Sequence, residues 1–484
     1  MILEYKELSR RGVLRFLVGA SSTLFFGFKT SSSSAKLLSS EDSLPPSDPT
    51  KIPGLTGIEE NKAALEGGGY AWSRQRAMQF GEVCRTTFGG EDAVLLTGEN
   101  GIRAFYNSDY VSREQGKTAA DLAFLSDGRT KVVPAMDGPA FIKRKSNLMT
   151  LVSTQAFEQY IPQVNAVMAE FVRRWSQAGE CDLRLEAPQM AFLSSSTIIT
   201  GAPGRAEDAR AYQESLLGFR GVDPMNKLVF RDQLLSWYRD SLILQRQKTP
   251  EQAKSNMIGI LAHQTGLTDD EIIAETQHLF VGSSGVWIIS LTALALLSQF
   301  PELMRQARKE VQSFAEIPTL DQLNQAKFLQ ALIEEVTRWT PIINTQTGRS
   351  LQDFSVNGYI IPKGTLLVAG LYATNHQPKV FPEPDQFNVR RPEEISQAMG
   401  KGACPMSKCL PYGFVAFGGG EDRRTQHRCL GEELLSVSVK LFLGQTLRHH
   451  DWILTNSDEV KKVPAPYMSP RMLMKITKRS SGHE

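Results

Sequence analysis

Hydrophobic residues recur three and four positions apart over most of the chain, which is the spacing of amphipathic helices. Two short segments, residues 354–361 and 365–369, predict strands, because β-branched or alternating positions lie between turn residues such as Asn357 and Gly358. The pattern predicts a mainly α fold with a minor β region in one domain. The stretches with helical spacing are residues 155–175, 206–219, 229–247, 268–300, 301–314 and 326–339.

One apolar stretch, residues 276–301, contains no Asp, Glu, Lys or Arg. Its length and composition fit either a membrane span or a helix through the centre of a large domain. The polar residues 282–285 and the charged amphipathic neighbours favour the second interpretation. We therefore expect one long central helix.

The N-terminal residues form a different kind of sequence. Arg10, Arg11 and Arg15 precede an uncharged apolar stretch, residues 16–28, and then a run of small residues, which is typical of a secretory signal. The string resembles a twin-arginine signal, which exports proteins already folded around a cofactor. The resemblance implies a signal at residues 1–35, a flexible Ser/Pro-rich spacer at 36–57 and a catalytic domain at 58–484. A membrane anchor and a cytoplasmic location remain the alternatives.

Composition narrows the classes of function. The 484 residues carry 54 Lys and Arg against 52 Asp and Glu, a net charge of +2, whereas nucleic-acid binding needs a clustered basic excess. Five cysteines are too few for a disulfide scaffold, although Cys404 and Cys409 are close enough in sequence for a local bridge. Residues 115–118 (QGKT) end like a phosphate-binding loop, but Val111 replaces the earlier glycine, which favours a surface turn.

Two separated segments contain charged residues that can pair. Glu335 and Arg338 lie three positions apart in a helical stretch, so they share one face of the helix. Residues 381–387 contain prolines that fix an extended path, and they lead to Arg391.

A third segment contains a cysteine in a position suited to chemistry. The glycine-rich residues 417–420 precede Cys429, which lies just before a helix that begins at Glu432. The N-terminal end of a helix favours a thiolate, so Cys429 suits a metal ligand or a nucleophile. In this order and at these separations, the three segments resemble the cytochrome P450 family, and the resemblance extends from Asp137 to the C-terminus.

The resemblance implies a single haem-thiolate domain with haem b as cofactor and the central helix over the haem. Cys429 would be the axial thiolate, which pushes electron density to the iron and favours O–O cleavage. Glu335, Arg338 and Arg391 would lock together and support the haem. The other residues implied in haem binding are His427, Arg349 and Lys145 as propionate partners and Phe417, Gly418 and Gly420 in the loop before the cysteine.

The chain departs from the family pattern on the side of the cysteine. Phe141 replaces the usual His or Trp in the segment of Lys145. Phe417 and Cys429 are twelve positions apart, a longer separation than is usual, and the extra residues fall within 421–426. Similar lengthening occurs in the bacterial fatty-acid peroxygenase branch. Arg423 and Arg424 in this loop could dock a partner or be solvated.

A second departure concerns oxygen chemistry. Ser284 and Gly285 stand where the family has an acid–alcohol pair that relays protons to dioxygen. Gly285 has no hydroxyl and Ser284 cannot act as a carboxylic acid, although Ser283 or a water molecule could substitute. Peroxide-driven oxidation, or rearrangement of a hydroperoxide, would not need this relay. The arginine that the peroxygenase branch uses to hold a substrate carboxylate is absent from residues 279–287.

We therefore expect an oxidoreductase that inserts one oxygen atom into a hydrophobic substrate, using dioxygen with a ferredoxin or reductase donor, or peroxide. A hydroperoxide isomerase or dehydratase and a non-catalytic haem sensor are the alternatives. We expect a monomer without a nucleic-acid partner. The residues expected to border the substrate and oxygen are Val281, Gly282, Ser283, Ser284, Gly285, Val286, Ile342, Ile343 and Asn344.

Overall fold

The computed structural model describes residues 48, 51–65, 70–205, 208, 224–264, 266–402, 404–461 and 466–479. The helices are α1 (Ile58–Leu65), α2 (Tyr70–Phe80), α3 (Gly98–Phe105), α4 (Ala119–Leu125), α5 (Gly138–Met149), α6 (Thr154–Ala178), α7 (Leu183–Thr200), α8 (Pro224–Arg246), α9 (Pro250–Ala253), α10 (Met257–Ala262), α11 (Asp269–Gly282), α12 (Gly285–Gln299), α13 (Pro301–Val311), α14 (Leu320–Gln325), α15 (Lys327–Trp339), α16 (Leu371–Asn375), α17 (Arg391–Ala398), α18 (Met406–Cys409), α19 (Glu432–His449) and α20 (Ser457–Val460). The strands are β1 (Val83–Phe88), β2 (Glu91–Leu96), β3 (Val111–Ser112), β4 (Glu180–Asp182), β5 (Thr345–Ser350), β6 (Phe354–Val356), β7 (Tyr359–Ile361), β8 (Leu366–Gly370), β9 (His450–Leu454) and β10 (Leu473–Lys478).

The helical periods in the sequence coincide with observed helices. The stretches 155–175, 229–247, 301–314 and 326–339 correspond to α6, α8, α13 and α15 within a few residues. The stretch 206–219 lies almost wholly outside the described residues. The expected mainly α fold with a minor β region is confirmed.

The central helix is interrupted, which the hydrophobic pattern did not predict. Between α11 and α12, the N–H of Ser284 donates to the carbonyl of Val281 at 3.3 Å, so the bonding pattern tightens from i−4 to i−3. The Ser283 and Ser284 hydroxyls donate to the carbonyls of Phe280 and Val281. Serine hydroxyls compete in this way with the helical ladder, which accounts for the break.

Helix α12 runs through the middle of the helical part of the fold. Its residues from Gly285 to Leu297 are all buried, and it contacts α7, α15 and α19. Asp269–Gln299 is long and apolar enough to cross a membrane, but 67% of its most apolar window is buried inside the protein. The expected buried central helix is therefore what the fold contains.

The largest sheet lies beside the helices and has the strand order β1-β2-β8-β5-β3. Strands β2 and β8 pair in parallel, and the other neighbours pair antiparallel. The hairpin of β6 and β7 turns at Asn357 and Gly358, whose φ angles are +47° and +80°. This is the turn chemistry that the Asn-Gly dipeptide predicts.

The ordered domain begins before residue 58, which corrects the predicted boundary of the spacer. Ile52 is buried, and the N–H of Arg85 donates to the carbonyl of Pro53 at 2.7 Å. A Cβ on Gly54 would lie 2.2 Å from the Arg85 carbonyl oxygen, so this segment can lie against β1 only because residue 54 is glycine. Residues 51–57 thus pack on the sheet, while the predicted signal at 1–35 lies outside the described residues.

Candidate functional site

A tight loop returns the chain to the side of Cys429. The N–H of Cys429 donates to the carbonyl of Phe417 at 2.8 Å. Gly418 and Gly420 have φ angles of +85° and +127°, which L side chains rarely adopt. A Cβ on Gly418 would also lie 2.8 Å from the carbonyl oxygen of His427. The loop can turn back on itself only because these two positions are glycine. This requirement is separate from any need for the backbone to lie close to a cofactor.

The sulfur of Cys429 lies beside the start of α19. The side chain is exposed although Arg428 and Leu430 on either side are buried. The N–H of Gly431 donates to the sulfur at 3.3 Å, as expected at a helix N-terminus. Burial nevertheless raises the pKa of the thiol, and Glu432 acts in the same direction. The hydrogen bond from Gly431 acts in the opposite direction, and a bound metal ion would favour the thiolate further.

Glu335 holds two arginines in a fully buried group. Its carboxylate accepts from Nε and Nη2 of Arg338 at 2.7 and 2.8 Å and from Nε of Arg391 at 3.2 Å. All three side chains are almost completely excluded from solvent. The lock expected from the sequence between α15 and the segment before α17 is confirmed.

This buried group also supports the loop that precedes the cysteine. Arg338 Nη1 donates to the carbonyl of Asn375 at 3.0 Å, and the Asn375 side-chain oxygen accepts from the N–H of Val415 at 2.8 Å. Arg391 donates to the carbonyls of Pro382, Glu383 and Gln386. The charged group therefore fixes the extended path 382–388 and, through Asn375, the approach to Phe417.

A short disulfide-linked segment fixes the other side of the cysteine. Cys404 and Cys409 form a disulfide, which is the local bridge expected from their spacing. Between them, Ser407 accepts from Arg428 Nη1 through its carbonyl at 2.9 Å and donates its hydroxyl to Glu432 at 2.6 Å. Arg428 and Glu432 also pair directly. Residues on both sides of Cys429 are thus tied to the segment closed by the disulfide.

His427 and Lys145, the two propionate partners that the resemblance implied on this side, both lie against Phe141. His427 Nε2 is 3.6 Å from an oxygen of Asp137, and its ring stacks on Phe141 at a centroid distance of 4.1 Å. Burial lowers the pKa of His427 to about 4. Lys145 is fully buried and donates to the carbonyls of Gln426 and Arg428. Phe141 therefore fills the place of the missing polar residue by stacking on the histidine.

Sequence reasoning missed Arg113, Tyr106 and Gln346. The Gln346 side-chain oxygen accepts from Tyr106 Oη at 2.9 Å and from Arg113 Nη2 at 2.8 Å. The Arg113 guanidinium is buried over the rings of Phe105 and Tyr106, and its Nε and Nη1 atoms have no hydrogen-bond partner among the described residues. Tyr106 packs directly against Gly419, so these residues border the loop before the cysteine.

Arg349 does not join this group, which corrects the prediction that it pairs with a propionate. Its guanidinium pairs with Glu91 at 2.7 Å and donates to the carbonyls of Gln115 and Gly364. Arg349 and Gln346 are three positions apart on β5, so their side chains leave opposite faces of the strand. Strand alternation over 345–350 is the sequence signal that identifies Gln346.

The residues present fit a haem. A buried guanidinium with two unpaired N–H groups is costly unless it meets an acceptor, and a haem propionate is such an acceptor. Lys145 and Arg423 supply positive charge near Cys429, and His427 supplies a further ring nitrogen. Cys429, whose side chain is exposed, would supply the thiolate ligand to the haem iron.

The distal residues expected from the sequence are grouped around the break between α11 and α12. A Cβ on Gly285 would lie 2.7 Å from Ile342 Cδ1 and 3.0 Å from a methyl of Leu435, whereas a Cβ on Gly282 would meet nothing within 4 Å. Ile342 therefore occupies the volume that a side chain at position 285 would fill, and Gly282 borders open space. The hydroxyls of Ser283 and Ser284 are both bonded to backbone carbonyls.

The remaining residues expected at the substrate differ in exposure. Val281 is half-buried, Val286 is buried in the main core and Ile343 is about 50% exposed. Asn344 is buried, and its carbonyl accepts from the N–H groups of Leu371 and Tyr372. Of the three residues after Pro341, Ile342 is the one placed by a direct contact with α12.

These contacts define a haem-thiolate fold, with one cysteine loop supported by one buried Glu–Arg–Arg group. The family model of cytochrome P450 matches residues 219–480, more than half of the chain. The chain therefore belongs to the cytochrome P450 family. Its members bind haem through a cysteine thiolate, and the chain is accordingly a haem-thiolate monooxygenase that acts on a hydrophobic organic substrate.

The chain is similar to proteins from several kingdoms. It is 22% identical to the putative cytochrome P450 120 of Synechocystis over 441 residues, which is 87% of this chain and 95% of that protein. It is 25% identical to tomato cytochrome P450 85A1 over 69% of this chain and 72% of that protein.

Solved structures share the fold at lower identity. Cyanobacterial CYP120A1 with bound retinoic acid superposes with a TM-score of 0.74 at 18% identity, covering 89% of this chain and 100% of that chain. A variant of cytochrome P450 OleT in complex with arachidonic acid gives a TM-score of 0.71 at 18% identity, covering 90% of this chain and 100% of that chain.

Proposed function

We propose that this P450 binds haem b, takes an oxygen atom from hydrogen peroxide and inserts it into a C–H bond of a hydrophobic substrate. The observation that carries the proposal is the contact of Gly285 with Ile342. Gly285 has no hydroxyl, and the Ile342 side chain occupies the space beside it, so position 285 contributes nothing to a proton relay. The balanced reaction is RH + H2O2 → ROH + H2O.

Two further contacts support peroxide as the oxidant. The hydroxyl protons of Ser283 and Ser284 are donated to carbonyls of the preceding turn, so they are not directed at a bound oxidant. Dioxygen activation consumes two protons and two electrons that peroxide already contains. A site whose hydroxyl protons are all held by backbone carbonyls therefore favours peroxide.

The residues around Cys429 would hold the haem and set its charge. Cys429 would be the axial ligand, and the unpaired N–H groups of Arg113 would receive a propionate. Asp137 would orient His427, because the two side chains face each other. When bound, haem supplies an iron centre that activates the O–O bond.

The loop 421–426 supports a function without a docked electron donor. Arg423 pairs with Glu433 at 3.2 Å, and Glu421 lies 3.7 Å from Arg103. The Gln426 side-chain oxygen accepts from the N–H groups of Glu421 and Asp422, so the loop is braced from within. The charge of Arg423 is thus partly neutralised, which weakens a basic docking patch for an acidic ferredoxin.

The substrate is a hydrophobic molecule. Val281, Val286 and Ile342 are apolar and lie around the break in the central helix. Two structures of similar fold contain bound retinoic acid or arachidonic acid, and both molecules are long, apolar acids. These similarities support an extended apolar substrate.

The test is a product assay on purified holoprotein with a panel of fatty acids. Hydrogen peroxide labelled with a heavy oxygen isotope should give hydroxylated products that carry the label, and Cys429→Ala should abolish both product and thiolate spectrum. The peroxide proposal would be overturned if product formed only with dioxygen, ferredoxin and reductase and did not contain the heavy isotope from hydrogen peroxide. Conversion of a fatty-acid hydroperoxide without added peroxide would identify an isomerase or dehydratase instead.

Export by a twin-arginine route is part of the proposal. The disulfide of Cys404 and Cys409 supports it, because disulfides persist in oxidising compartments and nicotinamide-dependent reductases work in the cytoplasm. We expect the wild-type chain in the periplasmic fraction of a bacterial host and an Arg10→Lys/Arg11→Lys variant in the cytoplasm. Equal distribution of the two proteins would refute this route.

A further inference from the structure

A lysine of the segment that follows Arg113 lacks a partner for its charge. Lys117 is half-buried, and burial lowers its pKa to about 8, with Arg113 acting in the same direction and Asp121 opposing it. Within the part of the chain that the structure describes, its ammonium group has neither a carboxylate within 4.0 Å nor a hydrogen-bond acceptor. A half-buried cation without a partner of opposite charge is stabilised by a bound anion.

The backbone on both sides of Lys117 is fixed. A Cβ on Gly116 would lie 2.4 Å from the Cα of Gly348, and the Gly116 carbonyl accepts from the Thr347 hydroxyl at 2.8 Å. Thr118 caps α4 through a reciprocal pair of bonds with Asp121. Lys117 is thus held between β5 and the first turn of α4, and the surface turn predicted for residues 115–118 is present at residues 115–116.

This position lies on the side of the molecule where the substrate is expected. Arg113, four residues earlier, borders the loop before Cys429 through Gln346 and Tyr106. Helix α4, two residues later, packs against α11, the half of the central helix that ends at Gly282. Along the chain, Lys117 therefore lies between Arg113, which borders the loop before Cys429, and the helix that packs against α11.

We propose that Lys117 holds the carboxylate of the hydrophobic substrate and so selects acids over the matching alcohols. This inference rests on the function proposed above and names the substrate class. A single ammonium suits one carboxylate, while the apolar residues around the helix break suit the chain attached to it. Residues 279–287 contain no arginine for this purpose, so a cation from another element takes the role. Arg113 would instead receive a haem propionate.

The test is spectral titration of the ferric holoprotein with saturated fatty acids and with primary alcohols of the same chain lengths. Wild type should bind the acids at least about tenfold more tightly than the alcohols. Lys117→Met should remove that preference by weakening acid binding about tenfold while changing alcohol binding less than about twofold. Lys117→Arg should keep the preference, and Lys143→Met, a change at an exposed lysine of α5, should behave as wild type.

The outcomes separate this inference from the proposed function. If Lys117→Met leaves the acid preference intact, or lowers the ratio of haem to protein and weakens both ligands equally, the carboxylate role is wrong. If wild type binds acids and alcohols with equal affinity, the inference fails while the proposed function stands. If wild type lacks a thiolate-ligated carbon monoxide spectrum, the proposed function fails, and the inference fails with it.

Discussion

Glu335 stabilises the site because two buried arginines share its carboxylate. An unpaired buried charge costs several kcal/mol, whereas a matched buried pair is close to neutral. Each of the buried charges of Glu335, Arg338 and Arg391 is therefore tolerated only while its partners are present, and removing one of them destabilises the fold. This also explains why a pair that looks like an ordinary surface pair in sequence lies at the centre of the molecule.

We predict that Glu335→Gln lowers the free energy of unfolding by about 3–5 kcal/mol, because two arginines would lose their counter-charge. Denaturant titration measures this loss, and the variant should also retain less haem during purification. Glu170→Gln is the matched control, since Glu170 and Arg173 form an exposed pair on α6. An unchanged denaturation midpoint for Glu335→Gln would show that the buried group does not support the fold.

Gly285 illustrates a residue whose small size is required by a neighbour. We predict that Gly285→Thr destabilises the protein by about 1–3 kcal/mol, because the new side chain would overlap Ile342 and Leu435. Ile342→Ala makes space for the threonine. The double variant should therefore be only slightly less stable than Ile342→Ala alone. Thermal unfolding of the four proteins measures the coupling. Strictly additive losses would mean that Ile342 is not what excludes a side chain at position 285.

At the scale of elements, the sequence predicts the helices that have a regular apolar spacing. It does not predict features that depend on contacts between residues far apart in the chain. Helices α6, α8, α13 and α15 follow from their apolar spacing, and the three motifs place Glu335, Arg391 and Cys429 in one site. The break between α11 and α12 does not follow, because apolar residues continue through it and only hydroxyl–carbonyl bonds interrupt the ladder. Arg113 escapes detection because its partner Gln346 is 233 residues away.

The disulfide between Cys404 and Cys409 holds the segment 404–409 in its conformation. We predict that Cys404→Ser/Cys409→Ser lowers the free energy of unfolding by about 2 kcal/mol, from the chain entropy of a five-residue separation. Because Ser407 carries the contacts to Arg428 and Glu432, the double variant should also lose haem faster when challenged with apomyoglobin. Cys84→Ser is the control, since Cys84 is a buried free thiol away from this segment. Equal haem loss in the disulfide variant and wild type would contradict the proposed link.

Across the whole molecule, a buried histidine and several hydrogen-bonded carboxyl groups have lowered pKa values, and these groups contribute to its response to acid. His376 is buried, and burial together with Arg338 lowers its pKa to about 3. Asp127, Asp137 and Asp385 are also lowered in pKa, in part by hydrogen bonds to N–H, hydroxyl or guanidinium groups. The unfolded state binds more protons than the folded state at each of these sites as the pH falls. Acid should therefore weaken the protein in two ranges, first through the histidine and then through the carboxyl groups.

The histidine range is the more accessible one, and it gives a prediction for the intact protein. Below pH 6.5 the unfolded state protonates His376 while the folded state keeps it neutral, so stability is lost as the pH falls, by about 2 kcal/mol between pH 6.5 and 5. His376→Asn keeps a donor for the carbonyl of Tyr372 and removes this titration. The variant should be less stable than wild type at pH 7.5, because packing is lost, and the difference should shrink by about 2 kcal/mol at pH 5. A difference in stability that stays constant between the two pH values would show that His376 takes up its proton equally in the folded and unfolded states. The interpretation of His376 as a neutral buried ring beside Arg338 would then be wrong.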